Sequence, residues 1–112
     1  MAKEEAEPKP AWMERAFLNG RIGNSLLEAG QYDKALIFHH KGLAIYLEKL
    51  DKEHSNVAAS YNNIGNVHLE RAEYDKALGF YQKSLDIKLK KAGKNHPDVA
   101  AVYMNIGLMH DE

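Results

Sequence analysis

The six histidines of this sequence, at positions 39, 40, 54, 68, 96 and 110, are its best candidates for metal binding or proton transfer. A metal site needs ligands that converge, and two histidines share one helical face when they stand four residues apart. No His-x-x-x-His pair occurs, and the neighbours His39 and His40 point about 100° apart on a helix. His54 and His96 fall at expected helix starts, while His68 and His110 fall on an apolar stripe, and no carboxylate cluster joins any of them. The serines at 25, 55, 60 and 84 sit at helix starts or packing positions, so no Ser/His/Asp arrangement emerges. Each glycine is spaced as a turn or packing residue, which argues against a phosphate-binding loop. Without any cysteine the chain has no disulfide, thiolate nucleophile or thiolate metal site. These residue types predict no enzyme activity, no metal and no cofactor.

The polar chemistry that remains is a recurrence of asparagine. Asn62, Asn66 and Glu70 stand at i, i+4 and i+8, with Asn63 beside them on the same side. Asparagine is only a middling helix former, so its repetition inside a helix asks for a reason. Its amide carries donors and acceptors together and can hydrogen-bond the backbone of a bound peptide. The same residues could equally be solvated surface, or bond across to a neighbouring helix.

The elements that must position these residues follow from an internal repeat. Displaced by 42 residues, the sequence matches itself without a gap: His54 falls on His96, and Val57-Ala58-Ala59 falls on Val99-Ala100-Ala101. Tyr61, Asn63, Ile64, Gly65 and His68 recur as Tyr103, Asn105, Ile106, Gly107 and His110. Tyr32-Asp33-Lys34-Ala35-Leu36 recurs as Tyr74-Asp75-Lys76-Ala77-Leu78, and Ile22-Gly23-Asn24 as Ile64-Gly65-Asn66. A fixed period between about 20 and 50 residues marks a solenoid of stacked supersecondary units. The register holds two full units and the first half of a third.

Each unit reads as two helices. Val57, Tyr61, Ile64, Gly65 and His68 keep helical spacing along one face, and Tyr74, Ala77, Leu78, Tyr81 and Leu85 form a second stripe. In the first unit that second stripe is Tyr32, Ala35, Leu36, His39, Leu43, Tyr46 and Leu50. Gly30-Gln31 marks a tight turn within the first pair, and Pro97 suits the first turn of a last helix. The expected helices span 11–29, 32–49, 55–71, 74–91 and 97–111. Residues 1–10, charged and holding Pro8 and Pro10, read as a disordered lead-in to one helical domain over 11–112. The expected fold class is all-α, an α-solenoid of antiparallel helix pairs with two and a half repeats.

Fifteen basic and sixteen acidic residues nearly cancel. That balance gives no basic footprint for nucleic acid or an anionic membrane surface. No window approaches about 18 consecutive apolar residues, and the charged start lacks the apolar stretch of a signal peptide. A reducing cytoplasmic compartment is the expected location.

On these residues the chain resembles the tetratricopeptide repeat family, in a 42-residue form with an extended second helix. Tyr61, Ile64-Gly65, His68, Ala77, Tyr81 and Ser84 stand at the family's pattern positions; Asn19, Ile22-Gly23, Leu26, Ala35, His39 and Gly42 match it more loosely. The linker Gly93-Lys-Asn-His-Pro-Asp-Val-Ala is similar to those of kinesin light chains. Asn62-Asn63-Ile64-Gly65-Asn66 also resembles their first helices and those of G-protein-signalling adaptors. The resemblance covers about residues 16–112. It implies that first helices line a concave groove for a peptide segment of a partner protein. Shifted by the repeat, the polar face becomes rungs: Arg21/Asn63/Asn105, Asn24/Asn66/Leu108 and Glu28/Glu70/Glu112. The expected groove residues are Arg21, Asn24, Glu28, Asn62, Asn63, Asn66, Glu70 and Asn105. Family members that grip a C-terminal carboxylate use a clamp of Lys, Asn, Asn, Lys and Arg. Here Asn24 and Asn63 fit, but Gly20, Ala101 and Asn105 stand where the cations belong, so that clamp is not expected.

The sequence stops at Asp111-Glu112, where the third unit's second helix would begin. Val102, Tyr103, Ile106 and Met109 would then lack part of their cover, and apolar surface of that kind tends to mark an interaction site. The alternative function is therefore a structural or engineered module whose copies associate, as a homodimer, through this open third repeat.

Overall fold

The computed structural model describes residues 9–92. Four helices follow in order: α1 (Ala11–Glu28), α2 (Tyr32–Lys49), α3 (Ser55–Glu70) and α4 (Tyr74–Ala92). They agree to within one residue at each end with the four spans expected there. The lead-in residues 1–8 and the expected helix 97–111 lie outside the described residues. So do Asn105, Val102, Tyr103, Ile106 and Met109. Among the described residues there is no strand. The architecture is an all-α stack of antiparallel pairs: α1 packs along α2, α3 along α4, and α2 joins the two pairs by packing on α3.

The two within-pair turns use the same backbone device. After α1, Gly30 N–H donates to Leu27 O (2.9 Å) and Gln31 N–H to Leu26 O (2.8 Å). After α3, Ala72 N–H donates to Leu69 O and Glu73 N–H to His68 O, both at 2.9 Å. This bond pair satisfies carbonyls that a helix end leaves open, and it requires a left-handed residue at the pivot. Gly30 supplies it with φ +76°, and Ala72 takes the same conformation at φ +62°. The longer connection between the pairs is fixed by side chains. Asp51 Oδ1 accepts from Glu53 N–H (2.9 Å), and His54 Nδ1 caps α3 by accepting from Asn56 N–H (3.0 Å). Lys90 Nζ, from the far end of α4, donates to Glu53 Oε2 (2.7 Å).

The core runs through both pairs. Ala16, Leu43, Tyr46, Val57, Ala58, Ile64 and Ile87 form one buried cluster, with Trp12 and Phe80 packed against it. Ala77, Tyr81 and Leu85 form a second within the α3–α4 pair. Small residues let the paired helices approach. A Cβ built on Gly65 would lie 2.8 Å from Tyr81 Cε1 and 3.3 Å from the Ala77 carbonyl oxygen. His68 is buried at the aromatic position expected of it, stacked on Phe80 at 5.4 Å between ring centres. Its Nδ1 lies 2.8 Å from Glu73 Oε1.

Candidate functional site

Because α2 packs on both α1 and α3 while those two barely touch, a hollow opens between the first helices of the two units. It is a cavity of about 210 Å³ whose walls are Phe17, Gly20, Arg21 and Asn24 from α1 and Asn56, Ala59, Ser60 and Asn63 from α3. His39, Gly42 and Tyr46 of α2 form its floor. A second hollow continues along α1 past Met13, Phe17 and Leu18, and shares Phe17, Arg21, Tyr46 and Asn56 with the first. Phe17 and Leu18 are 60% and 54% exposed, so this edge of the site is apolar and open to solvent.

The structure brings together three of the groove residues expected from sequence. Arg21 and Asn24 are exposed at the rim of the cavity, and Asn63, half-buried, faces them from α3. The other expected residues are placed elsewhere. Asn66 is half-buried and accepts a hydrogen bond from the Tyr81 hydroxyl, tying α3 to α4 within the second unit. Asn62 is half-buried, with its Oδ1 enclosed and without a hydrogen-bond partner. Glu28 is exposed and lines neither hollow. Glu70 is exposed beside a shallow cleft at the α1–α2 turn, where Arg71 pairs with Asp33. Asn105 lies outside the described residues.

Among the cavity residues not expected from sequence, Phe17, Asn56, Ser60 and His39 carry most of its chemistry. Ser60 Oγ donates to the Asn56 carbonyl (3.0 Å), which leaves its lone pairs free. His39 is 2% exposed and its Nε2 is buried without a hydrogen-bond partner. Burial, and next the neighbouring His40, push the His39 pKa below its usual value, favouring the neutral ring. One sequence signal did point there. In the 42-residue register His39 stands where the second unit has Tyr81, and its Nε2 makes no counterpart of the phenol's bond to asparagine.

Among the described residues, no three His, Cys, Asp or Glu side chains come together as a metal site, and no helix is long and apolar enough to cross a membrane. What the arrangement offers is amide and guanidinium groups beside an exposed apolar edge. Stacked helix pairs with a cleft between successive first helices define a helical repeat of the binding-scaffold kind. The profile of the tetratricopeptide repeat family matches residues 14–90, and the chain belongs to that family. A search among curated proteins gives no match. Tetratricopeptide repeats mediate protein–protein interaction, a role that needs no catalytic group.

Proposed function

We propose that this chain is an adaptor that binds a peptide segment of a partner protein between α1 and α3, with no catalytic role. The observation that carries the reading is the cavity itself. Arg21, Asn24 and Asn63 converge on it with hydrogen-bonding groups that no other side chain uses among the described residues, beside the exposed Phe17 and Leu18. Amides at such a rim suit a peptide backbone, while the apolar shelf adds area and affinity. The rest of the proposal is one repeat domain over residues 11–112 in a cytoplasmic setting, which fits a chain without cysteine.

The test is a display selection of random and proteomic peptides on the wild-type chain, repeated on an Asn24→Ala/Asn63→Ala variant. Asn66 is left intact because Tyr81 already uses it. Peptides that bind the wild type and fail on the folded variant support the groove. Peptides that bind both equally would refute it.

A second reading is association between copies. Its support is Leu18, 54% exposed where its counterpart one repeat later, Ser60, is buried. Sedimentation equilibrium at high micromolar concentration tests it, and a monomer there would refute it.

A further inference from the structure

The side of α2 turned away from the cavity carries a second surface. On its inner side α2 packs along α1 and α3, and its His39, Gly42 and Tyr46 form the cavity floor. Among the described residues no helix lies along the opposite side. That side bears Ile37, His40, Ala44 and Leu47, whose spacing of three, four and three residues keeps them on one helical face. All four are exposed, Ile37 at 52% and Leu47 at 41%. A charged flank borders the stripe: Lys34, Lys41 and Glu48 stand seven residues apart, and all are exposed.

The matching face of α4, one repeat later, is built differently. Gly79, Gln82 and Asp86 stand where α2 has Ile37, His40 and Ala44, and Leu89, the match of Leu47, is half-buried. The charged flank there is Lys76, Lys83 and Lys90, with Lys90 held by Glu53. Packing within the stack makes no demand on these outward positions. Single exposed apolar side chains are ordinary on a protein surface. A stripe of them bordered by charges of both signs at heptad spacing is the layout of helix pairing.

The charges select the occupant. When two helices pair antiparallel about a two-fold axis, the same flank of each meets the other end for end. A second α2 laid in this way puts Ile37 opposite Leu47 of the second copy, and His40 opposite its Ala44. Lys34 then meets Glu48 of the second copy, at both ends of the contact. Lys41 falls near the axis, but its ammonium lies over the Phe38 ring, 4.8 Å from the ring centre. Phe38 is about 100° round the helix from Ile37, so that charge is drawn away from the stripe. The face of α4 could not pair like this, because three lysines would confront three.

We propose that the outer face of α2 is a homodimer interface, in which α2 packs antiparallel on α2 of a second copy. The contact lies on the opposite side of α2 from the cavity, so both cavities stay open. Such a dimer presents two peptide sites and would hold a ligand with two suitable segments more tightly than one chain does. Dimerisation itself does not depend on the groove reading. Two large apolar residues from each copy make a small interface, which sets the dissociation constant near the weak end, at about 0.1 mM.

Sedimentation equilibrium of the full chain at low salt, up to about 1 mM, should show monomer and dimer in exchange. Ile37→Asp should abolish the dimer, while Leu18→Asp, at the exposed edge of α1, should leave it intact. Glu48→Lys should weaken it about tenfold, since each change counts twice in a symmetric pair. Adding Lys34→Glu to Glu48→Lys should restore it, because opposite charges meet again with their places exchanged. Every replaced side chain is exposed, so circular dichroism melts should match the wild type. A monomer over the whole range would overturn the proposal and leave this face to a helix of another protein. A dimer that survives Ile37→Asp would overturn it too, and loss in Leu18→Asp instead would move the contact to α1. A dimer weakened by Glu48→Lys and not rescued by Lys34→Glu would overturn the antiparallel pairing.

Discussion

Replacing Ala72 by glycine should stabilise the protein. Ala72 is the pivot of the α3–α4 turn and holds φ +62°, a left-handed conformation that crowds its Cβ against the following carbonyl. That crowding costs an L-residue about 1–2 kcal/mol, and glycine does not incur it. Glycine also widens the unfolded ensemble, which takes back about 0.4–1 kcal/mol. The net gain is about 0.5–1 kcal/mol. Because Ala72 is exposed, no packing is lost. The α1–α2 turn provides the internal control: it makes the same bond pair around Gly30 at φ +76°. Gly30→Ala should cost about 1 kcal/mol, though an added Cβ there would meet no atom within 4 Å. In thermal melts followed by circular dichroism, such changes move the midpoint by about 2–8 °C in opposite directions. Urea midpoints should follow with an unchanged slope. A melting temperature that falls or stays level in Ala72→Gly would refute the argument, since no contact of the alanine side chain offsets its backbone strain.

Gly65→Leu should destabilise by about 1–3 kcal/mol or more, because its Cβ alone would stand 2.8 Å from the Tyr81 ring and 3.3 Å from a backbone oxygen of α4; an unchanged melting temperature would show that α3 and α4 do not meet there. Stability should also fall with acid in a defined window. Burial is the largest cause lowering the pKa values of both His39 and His40 from 6.5. The unfolded chain then takes up protons first, so this stability is complete above about pH 6.5 and is lost as pH drops below it. A His39→Phe variant should show a shallower decline of melting temperature between about pH 7 and 5, and an identical decline would rule out His39 as a source. His39→Tyr should rebuild in the first unit the bond between Tyr81 and Asn66, raising stability by about 1 kcal/mol. That gain should vanish in an Asn24→Ala background; a gain that persists there would mean that the hydroxyl bonds elsewhere.

The helices were legible because local patterns and tertiary needs coincide. Tyr74, Ala77, Leu78, Tyr81 and Leu85 keep helical spacing, and of these Ala77, Tyr81 and Leu85 form a buried cluster. The pivots were legible only in part. Gly30 announces a left-handed residue, whereas Ala72 does the same work behind a residue type that signals helix. Its carbonyl-satisfying bonds depend on the whole turn, not on the alanine. The groove was legible as a face and not as a site. Helical spacing puts Asn62, Asn63 and Asn66 on one side, but it cannot tell which amide meets a neighbouring helix. Asn66 is taken by Tyr81, Asn62 is half-buried, and only Asn63 faces the cavity. Phe17, Asn56, Ser60 and His39 come together there from three helices, and no period within one helix could assemble them.

The departures from the repeat carry more about specificity than the repeat itself. Where both units hold the same residue, as at Gly23 and Gly65 or Ala35 and Ala77, the requirement is helix packing that any member of the stack shares. Where they differ, the two units meet the same position in different ways. Tyr81 closes its unit by bonding Asn66, while His39 leaves Asn24 free and its own Nε2 unpaired. Leaving a buried polar atom unpaired generally costs about 1–3 kcal/mol. A fold that already contains the tyrosine solution one unit later could remove that cost by a single substitution. His39 is therefore the position at which the two units differ most in their polar bonding. That sets a firm expectation for the His39→Tyr variant: it should be the more stable protein, with the gain carried by a bond to Asn24. A variant no more stable than the wild type would mean that the first unit's geometry does not let the bond between Tyr81 and Asn66 be copied there.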